Sequence, residues 1–365
     1  MSAPRPVGSR YLRWAKLHRP RTYDLTSSGM PHLTLDNLPA APERPALGGT
    51  GAYGCGALQN AIAARYDVEP GCIVQALGCS MANWLAMAAI LAPGDEVLIE
   101  HPTYEPLLAI ARNLGAAVAR FERHAEDGFR IDPDEVARRI TPRTRLIVIT
   151  NLHNPTSALT DDDTLRRVGE TADRVGAKVM VDEVYLDALF EPRPRTCFHL
   201  GPAFVATSSL TKVYGLNGLR CGWVMAEPAL ACRIWRLIEV MNNIGVHVAE
   251  QLSVAAFAGI DALATRSRRV LDANRDALNA FYRTRGDLEW MPHRAGTVSF
   301  PRLRASNARR LCRVLETEHD TAVVPGAFFG MPEHVRIGLG VAPETFAAGL
   351  GRLGRALDGL GQNRS

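Results

Sequence analysis

Between residues 70 and 226 the chain alternates short apolar runs with stretches whose apolar positions recur at helical spacing. The runs 73-IVQAL-77, 96-EVLIE-100, 116-AAVARF-121, 145-RLIVI-149, 178-KVMVD-182, 203-AFVATS-208 and 221-CGWVMA-226 read as strands, and 81–91, 104–114, 133–140 and 161–175 as helices. Strand–helix–strand alternation forces crossover connections and hence parallel pairing. The expected class is α/β, a mainly parallel central sheet with helices on both faces. Such sheets bind ligands at the carboxyl ends of their strands, so the residues following each strand carry the functional information.

After 228-PALACRIWRLIEVMNN-243 the pattern changes to long, arginine-rich helices. A shorter α+β segment follows, with 296-GTVSFP-301 and 335-VRIGLG-340. This reads as a second, smaller domain joined near residue 272 inside a helical region. The expected division is 1–45 as an N-terminal arm and part of the small domain, 46–272 as the large ligand-binding domain, and 273–365 as the C-terminal small domain.

The motif 49-GTGAYG-54 has the spacing of a dinucleotide fingerprint, which requires a strand before it. The preceding 38-LPAAPERPALGG-49 is proline-rich and poor in β-branched residues. A nicotinamide or flavin site is therefore disfavoured, and 57-ALQNAIAARY-66 reads as a helix. Net charge is +4 with no basic block, which gives no support to nucleic-acid binding. The longest apolar run, 84-WLAMAAILA-92, is too short to span a bilayer and reads as a core helix. The basic N-terminus lacks the apolar run of a secretory signal and reads as a folded or docking arm. Seven cysteines without a Cys-x-x-Cys pair suggest reduced thiols in a cytoplasmic protein, with no metal role.

Of 42 basic residues only Lys16, Lys178 and Lys212 are lysines. Chemistry that needs a primary amine has few places to occur. Lys16 lies in the arm and Lys178 opens a strand at the edge away from the ligand, which leaves Lys212. Polar groups follow the other strand ends: Asn154 in 151-NLHNPTS-157, Asp182 and Tyr185 in 182-DEVY-185, Ser209, Thr211 and Arg220 in 208-SSLTKVYGLNGLR-220, and 78-GCSMA-82. Singly each has a plainer reading as a cap, a turn or a surface charge. Together they suit pyridoxal phosphate (PLP): an amine for a Schiff base, an acid for the pyridine nitrogen, and helix-terminal N–H groups with an arginine for the phosphate.

These residues resemble the PLP-dependent aminotransferases of class I/II, the aspartate aminotransferase superfamily of fold type I, from about Leu25 to the C-terminal helix. The most specific segment is 208-SSLTKVYGLNGLRCGW-223, and 323-VVPGAFFGMPEHVRIGLG-340 resembles the family's Pro-Gly-x-x-Phe-Gly segment followed by an arginine. The resemblance implies the PLP-dependent transferase fold. It implies that Lys212 binds PLP covalently and shuttles a proton, that Asp182 pairs with the pyridine N–H, and that Tyr185 and Asn154 hydrogen-bond the ring hydroxyl. It further implies phosphate contacts from Ser209, Arg220 and the backbone at Cys79 and Ser80, and stacking of Tyr104 on the ring. Arg336 would bind the substrate α-carboxylate, with Asn154 beside it, and Gly29 in 25-LTSSGM-30 matches a loop that closes over the substrate. Tyr53 would cross a homodimer interface to the neighbouring PLP phosphate, giving shared active sites.

Three departures stand out. The family's Asn-Pro-Thr-Gly is 154-NPTS-157, where serine at 157 is expected to alter the loop. Thr211 replaces the common serine before the lysine but keeps the hydroxyl. No second arginine can be assigned to a substrate side chain, so a dicarboxylic preference has no support. The implied reaction is amino transfer from an L-α-amino acid to a 2-oxo acid. Elimination, cyclisation or oxidation remains an alternative, because 208–223 and 296-GTVSFPRL-303 also resemble capreomycidine synthase-like enzymes. A non-catalytic sensor of PLP or amino acids is a remoter alternative, and the arm is too short for a helix-turn-helix module.

Overall fold

The computed structural model describes residues 8–38, 41–49, 53–192, 194–243, 245–292, 294–304 and 307–362. The alternating region forms one seven-stranded sheet: β1 (Ile73–Leu77), β2 (Glu96–His101), β3 (Ala117–Glu122), β4 (Thr144–Thr150), β5 (Lys178–Asp182), β6 (Phe204–Ser209) and β7 (Cys221–Met225). Their spatial order is β1-β7-β6-β5-β4-β2-β3. Strand β7 is antiparallel to both its neighbours, and all other pairings are parallel. Six strands therefore share one direction, and the carboxyl ends of β1, β4, β5 and β6 meet the start of β7 at one edge.

Both faces of this sheet are buried, which is why its strands read as continuous apolar runs. Ile147, Ile149, Val179 and Val181 pack into one core, while Leu146, Val148 and Met180 pack into the other. Each such side chain, fully withdrawn from water, contributes about 1.5–3 kcal/mol. The second core is closed by helices α3 (Cys79–Ile90), α4 (Glu105–Asn113) and α7 (Pro228–Met241), and the first by α2 (Gly56–Tyr66) and α6 (Asp162–Asp173) among others. Helix starts follow capping chemistry: Asp161 accepts from the Thr164 N–H at 2.7 Å at the head of α6.

A small antiparallel sheet joins Val298–Ser299, Val335–Gly338 and Val324–Pro325, with the central strand carrying Arg336. It lies with α9 (Ile260–Arg283), α10 (Ala308–Glu318) and α11 (Pro343–Gln362). The N-terminal segment joins this part of the molecule, because Tyr23–Asp24 pairs in parallel with Thr321–Ala322. Residue 272 falls in the middle of α9.

Upstream of these, α1 (Arg10–Leu17) is capped by Ser9, whose Oγ accepts from the Leu12 N–H at 3.0 Å. Its Tyr11 joins Phe129, Phe300, Val324 and Phe329 in a third apolar cluster that also touches Tyr104 and Phe328. No strand leads directly into Gly49 among the described residues, the nearest upstream one being Tyr23–Asp24, in keeping with the disfavoured dinucleotide reading; residues 50–52 of that motif lie outside the described residues. All seven cysteines are free thiols. Among the described residues no single helix is long and apolar enough to cross a membrane.

Candidate active site

The sheet edge and the small sheet bring Lys212 and Arg336 to opposite ends of one run of hydrogen bonds. Lys212 Nζ donates to Ser28 Oγ at 3.1 Å, and the Tyr185 hydroxyl donates to the same oxygen at 2.9 Å. Asn154 Nδ2 reaches the Tyr185 hydroxyl at a long 3.5 Å, and Asn154 Oδ1 accepts from Arg336 Nη1 at 3.1 Å. Arg336 is fully buried, and its Nη2 donates to the Tyr11 hydroxyl and to the Thr26 carbonyl, each at 2.9 Å. Burial lowers the Lys212 amine below its ordinary pKa; Arg336 adds to this, while Tyr11 and Asp182 oppose it. The Tyr185 phenol is pushed up, chiefly by burial, and stays protonated as a donor.

Asp182 ends β5 and is buried. Its carboxylate accepts from Asn83 Nδ2 at 2.8 Å, from the Val184 N–H at 3.1 Å and from Cys79 Sγ at 3.3 Å. Asn83 is itself oriented by Thr207 Oγ1, which donates to its Oδ1 at 2.5 Å. Burial still raises the Asp182 carboxyl above the usual range, although these bonds and the Lys212 charge oppose the rise. A buried carboxylate in this condition is best satisfied by a cationic N–H donor.

The turn from β1 into α3 is built for close approach. Gly78 has φ +82°, and a Cβ there would overlap the Arg220 guanidinium; a Cβ on Gly222 would overlap the Gly78 backbone. Only glycines let β7, the turn and Arg220 come this close. Arg220 Nη2 donates to the Leu77 carbonyl at 3.1 Å, across the head of α3. Cys79 and Ser80 are the first two residues of α3, two residues earlier than the sequence predicted. Their N–H groups therefore have no acceptor within the helix. Ser209 Oγ accepts from the Thr211 N–H at 3.3 Å, and the buried Thr211 Oγ1 has no partner. Arginine, helix-terminal amides and unused hydroxyl capacity form an anion cradle.

These donors and acceptors fit pyridoxal phosphate: the cradle suits its phosphate, Asp182 its protonated ring nitrogen, Tyr185 and Asn154 its ring oxygen, and Lys212 its aldehyde.

The remaining expected residues divide. Gly29 abuts Lys212: a Cβ there would sit 3.4 Å from the lysine Cα and Cδ, and the following Met30 N–H donates to the Lys212 carbonyl at 2.8 Å. Tyr104 caps α4 and meets the Tyr11 ring edge-on at 5.7 Å. Tyr53 lies apart, half exposed at 51%, with its hydroxyl donating to Glu239 at 2.5 Å and its ring against Trp235. Ser157, expected to alter its loop, takes the left-handed conformation itself (φ +60°). Its Oγ donates to the Val298 carbonyl at 2.8 Å, a bond that glycine could not make.

Sequence reasoning missed three side chains. Ser28 was hidden beside the matched Gly29, Asn83 lies one helical turn beyond Cys79 on the face toward β5, and Tyr11 sits in an arm with no motif. The first two were findable: a hydroxyl next to a closing loop, and a polar residue at i+4 from the head of a core helix. No local signal marked Tyr11.

The comparisons with known proteins agree with this geometry. Residues 25–353 match the family described as aminotransferase class I and II. The chain is 29% identical to capreomycidine synthase of Streptomyces vinaceus, over 92% of this chain and 89% of that one. Among solved structures, a PLP-dependent aminotransferase from Streptococcus suis superposes with a TM-score of 0.90 at 27% identity, covering 98% of this chain and 99% of that one. A PLP-dependent cyclase superposes at 0.87 with 26% identity, covering 99% of both chains. The chain therefore belongs to the aminotransferase class I and II family and is a pyridoxal 5′-phosphate-dependent aminotransferase.

Proposed function

We propose that this chain moves the amino group of an L-α-amino acid to a 2-oxo acid, with Lys212 as the covalent anchor and proton carrier. The carrying observation is the hydrogen-bonded run from Lys212 through Ser28, Tyr185 and Asn154 to Arg336. It sets a nucleophilic amine and a carboxylate-binding guanidinium at the two ends of one site. Bound PLP supplies an electron sink for the charge released at the substrate Cα. Lys212 Nζ, its basicity reduced by burial, would hold the cofactor covalently and, as a free amine, would carry the proton between the substrate Cα and the cofactor C4′. Asp182 would keep the ring nitrogen protonated, Tyr185 and Asn154 would hold the ring oxygen, and Tyr104 would cover the ring face. Ser209, Arg220 and the amides of Cys79 and Ser80 hold the phosphate. Arg336 pairs with the substrate carboxylate, for which its Nε–H is unused, and Gly29 lies in the loop that closes over it.

The same reading takes 46–272 as the cofactor-binding domain, with 1–45 and 273–365 as the small domain. The enzyme acts as a homodimer in which Tyr53 reaches the neighbouring phosphate. The exposed apolar side chains of Tyr53, Val240, Met241 and Val246 support such an interface. Free thiols support a cytoplasmic location.

A second reading keeps the cofactor and ends in cyclisation. Likeness over nearly the whole chain to capreomycidine synthase and to a PLP-dependent cyclase favours it. One experiment tests both: the holoenzyme is mixed with single amino acids, the cofactor is assayed for its aminated form, and the products are identified. Amino transfer predicts aminated cofactor and a 2-oxo acid, with both lost in Lys212→Ala. Ammonia or a cyclic product, with no aminated cofactor for any amino acid, would overturn it.

A further inference from the structure

We propose that Tyr11, carried on the N-terminal helix α1, is a ligand of the substrate α-carboxylate and completes the site that Arg336 begins. This rests on the reading of Arg336 as the carboxylate-binding residue. The Tyr11 hydroxyl accepts from Arg336 Nη2 at 2.9 Å, which uses an oxygen lone pair and not its proton. Among the described residues no acceptor faces that proton, and Arg336 Nε also has no partner. Two unused donors thus flank one buried guanidinium, an arrangement that a two-oxygen anion satisfies.

The hydroxyl is held in place from several sides. The Tyr11 ring meets Tyr104 and Phe328 edge-on, each at 5.7 Å, and Phe329 at 5.9 Å. The start of α1 is pinned by one carboxylate, Glu105, which takes the Ser9 hydroxyl and the N–H groups of Arg10 (3.3 Å) and Tyr11 (3.4 Å). Glu105 directly follows Tyr104, so the residue placed over the cofactor ring and the helix bearing Tyr11 share one anchor. Although burial opposes it, the charges of Arg336 and Lys212 bring the Tyr11 phenol below its ordinary pKa, which makes it a stronger donor. A substrate carboxylate entering here receives a hydrogen bond from Tyr11 without breaking the Tyr11–Arg336 bond.

The test uses holoenzyme variants Tyr11→Phe and Arg336→Gln, with propionate as the carboxylate probe measured by calorimetry. Tyr11→Phe keeps the ring and its packing, and Trp14, whose ring lies 6.2 Å from that of Tyr11, reports by fluorescence that α1 is seated. The expected result is propionate affinity weakened about tenfold or more in Tyr11→Phe. KM for the amino acid should rise in parallel, with kcat and the visible spectrum of the cofactor little changed. Propionate affinity within twofold of wild type in Tyr11→Phe, together with a large loss in Arg336→Gln, overturns the Tyr11 proposal alone. Unchanged affinity in Arg336→Gln overturns the carboxylate assignment beneath it.

Discussion

Arg336 Nη1 donates to Asn154 Oδ1 at 3.1 Å, and this bond joins the small sheet to the loop that follows β4. It also fixes the Asn154 amide so that its nitrogen faces Tyr185. The residue proposed to bind the substrate carboxylate is thereby coupled to two proposed to face the cofactor ring. The bond from Ser157 to the Val298 carbonyl spans the same gap three residues further along the loop.

Asp182 makes the first prediction. Folding raises its pKa, so its contribution to stability is present at low pH and is lost as pH rises through the raised value. Without cofactor, Asp182→Asn is expected to gain stability relative to wild type as pH rises from about 3 to about 7, across the window that opens at the ordinary carboxylate pKa. The cost is function: kcat/KM should fall on the order of 100-fold, because the ring nitrogen loses its carboxylate. Thermal unfolding of both cofactor-free proteins at the two pH values checks the sign. A difference that does not grow with pH would show that the buried carboxylate is not strained.

Ser157 holds a left-handed backbone angle and a hydrogen bond at once. Ser157→Ala keeps the strained angle and loses the bond, so it should destabilise by about 1 kcal/mol. Ser157→Gly loses the same bond but relieves about 1–2 kcal/mol of backbone strain, so it should be close to neutral. Urea denaturation that ranks alanine at or above glycine would contradict this.

Tyr53 predicts shared sites. Tyr53→Phe and Lys212→Ala subunits, each nearly inactive alone, should regain activity when unfolded and refolded together. Random pairing makes about half the dimers mixed, each with one intact site of two, so recovery should approach about a quarter of wild type. No recovery in a mixture shown to contain hybrid dimers would confine each site to one subunit.

Much of the site was legible because parallel strands buried on both faces leave unbroken apolar runs, and chemistry gathers at their ends. Lys212 was reached from a count of three lysines and the direction of the strands. Asp182, Asn154 and Arg220 followed from their places after strands, and the glycines 78 and 222 mark a contact that no side chain would permit.

The sequence by itself thus determined the alternation, the central sheet and the polar groups on its ligand edge, since all of these depend on local periodicity. Only the tertiary structure decided what closes over that edge. Ser28 meets Lys212 across 184 positions, and Tyr11 meets Arg336 across 325. The N-terminal segment is brought there by pairing with Thr321–Ala322 and by the Glu105 anchor of α1. Contacts at that separation arise from the sum of packing between distant elements, which no short window of residues encodes.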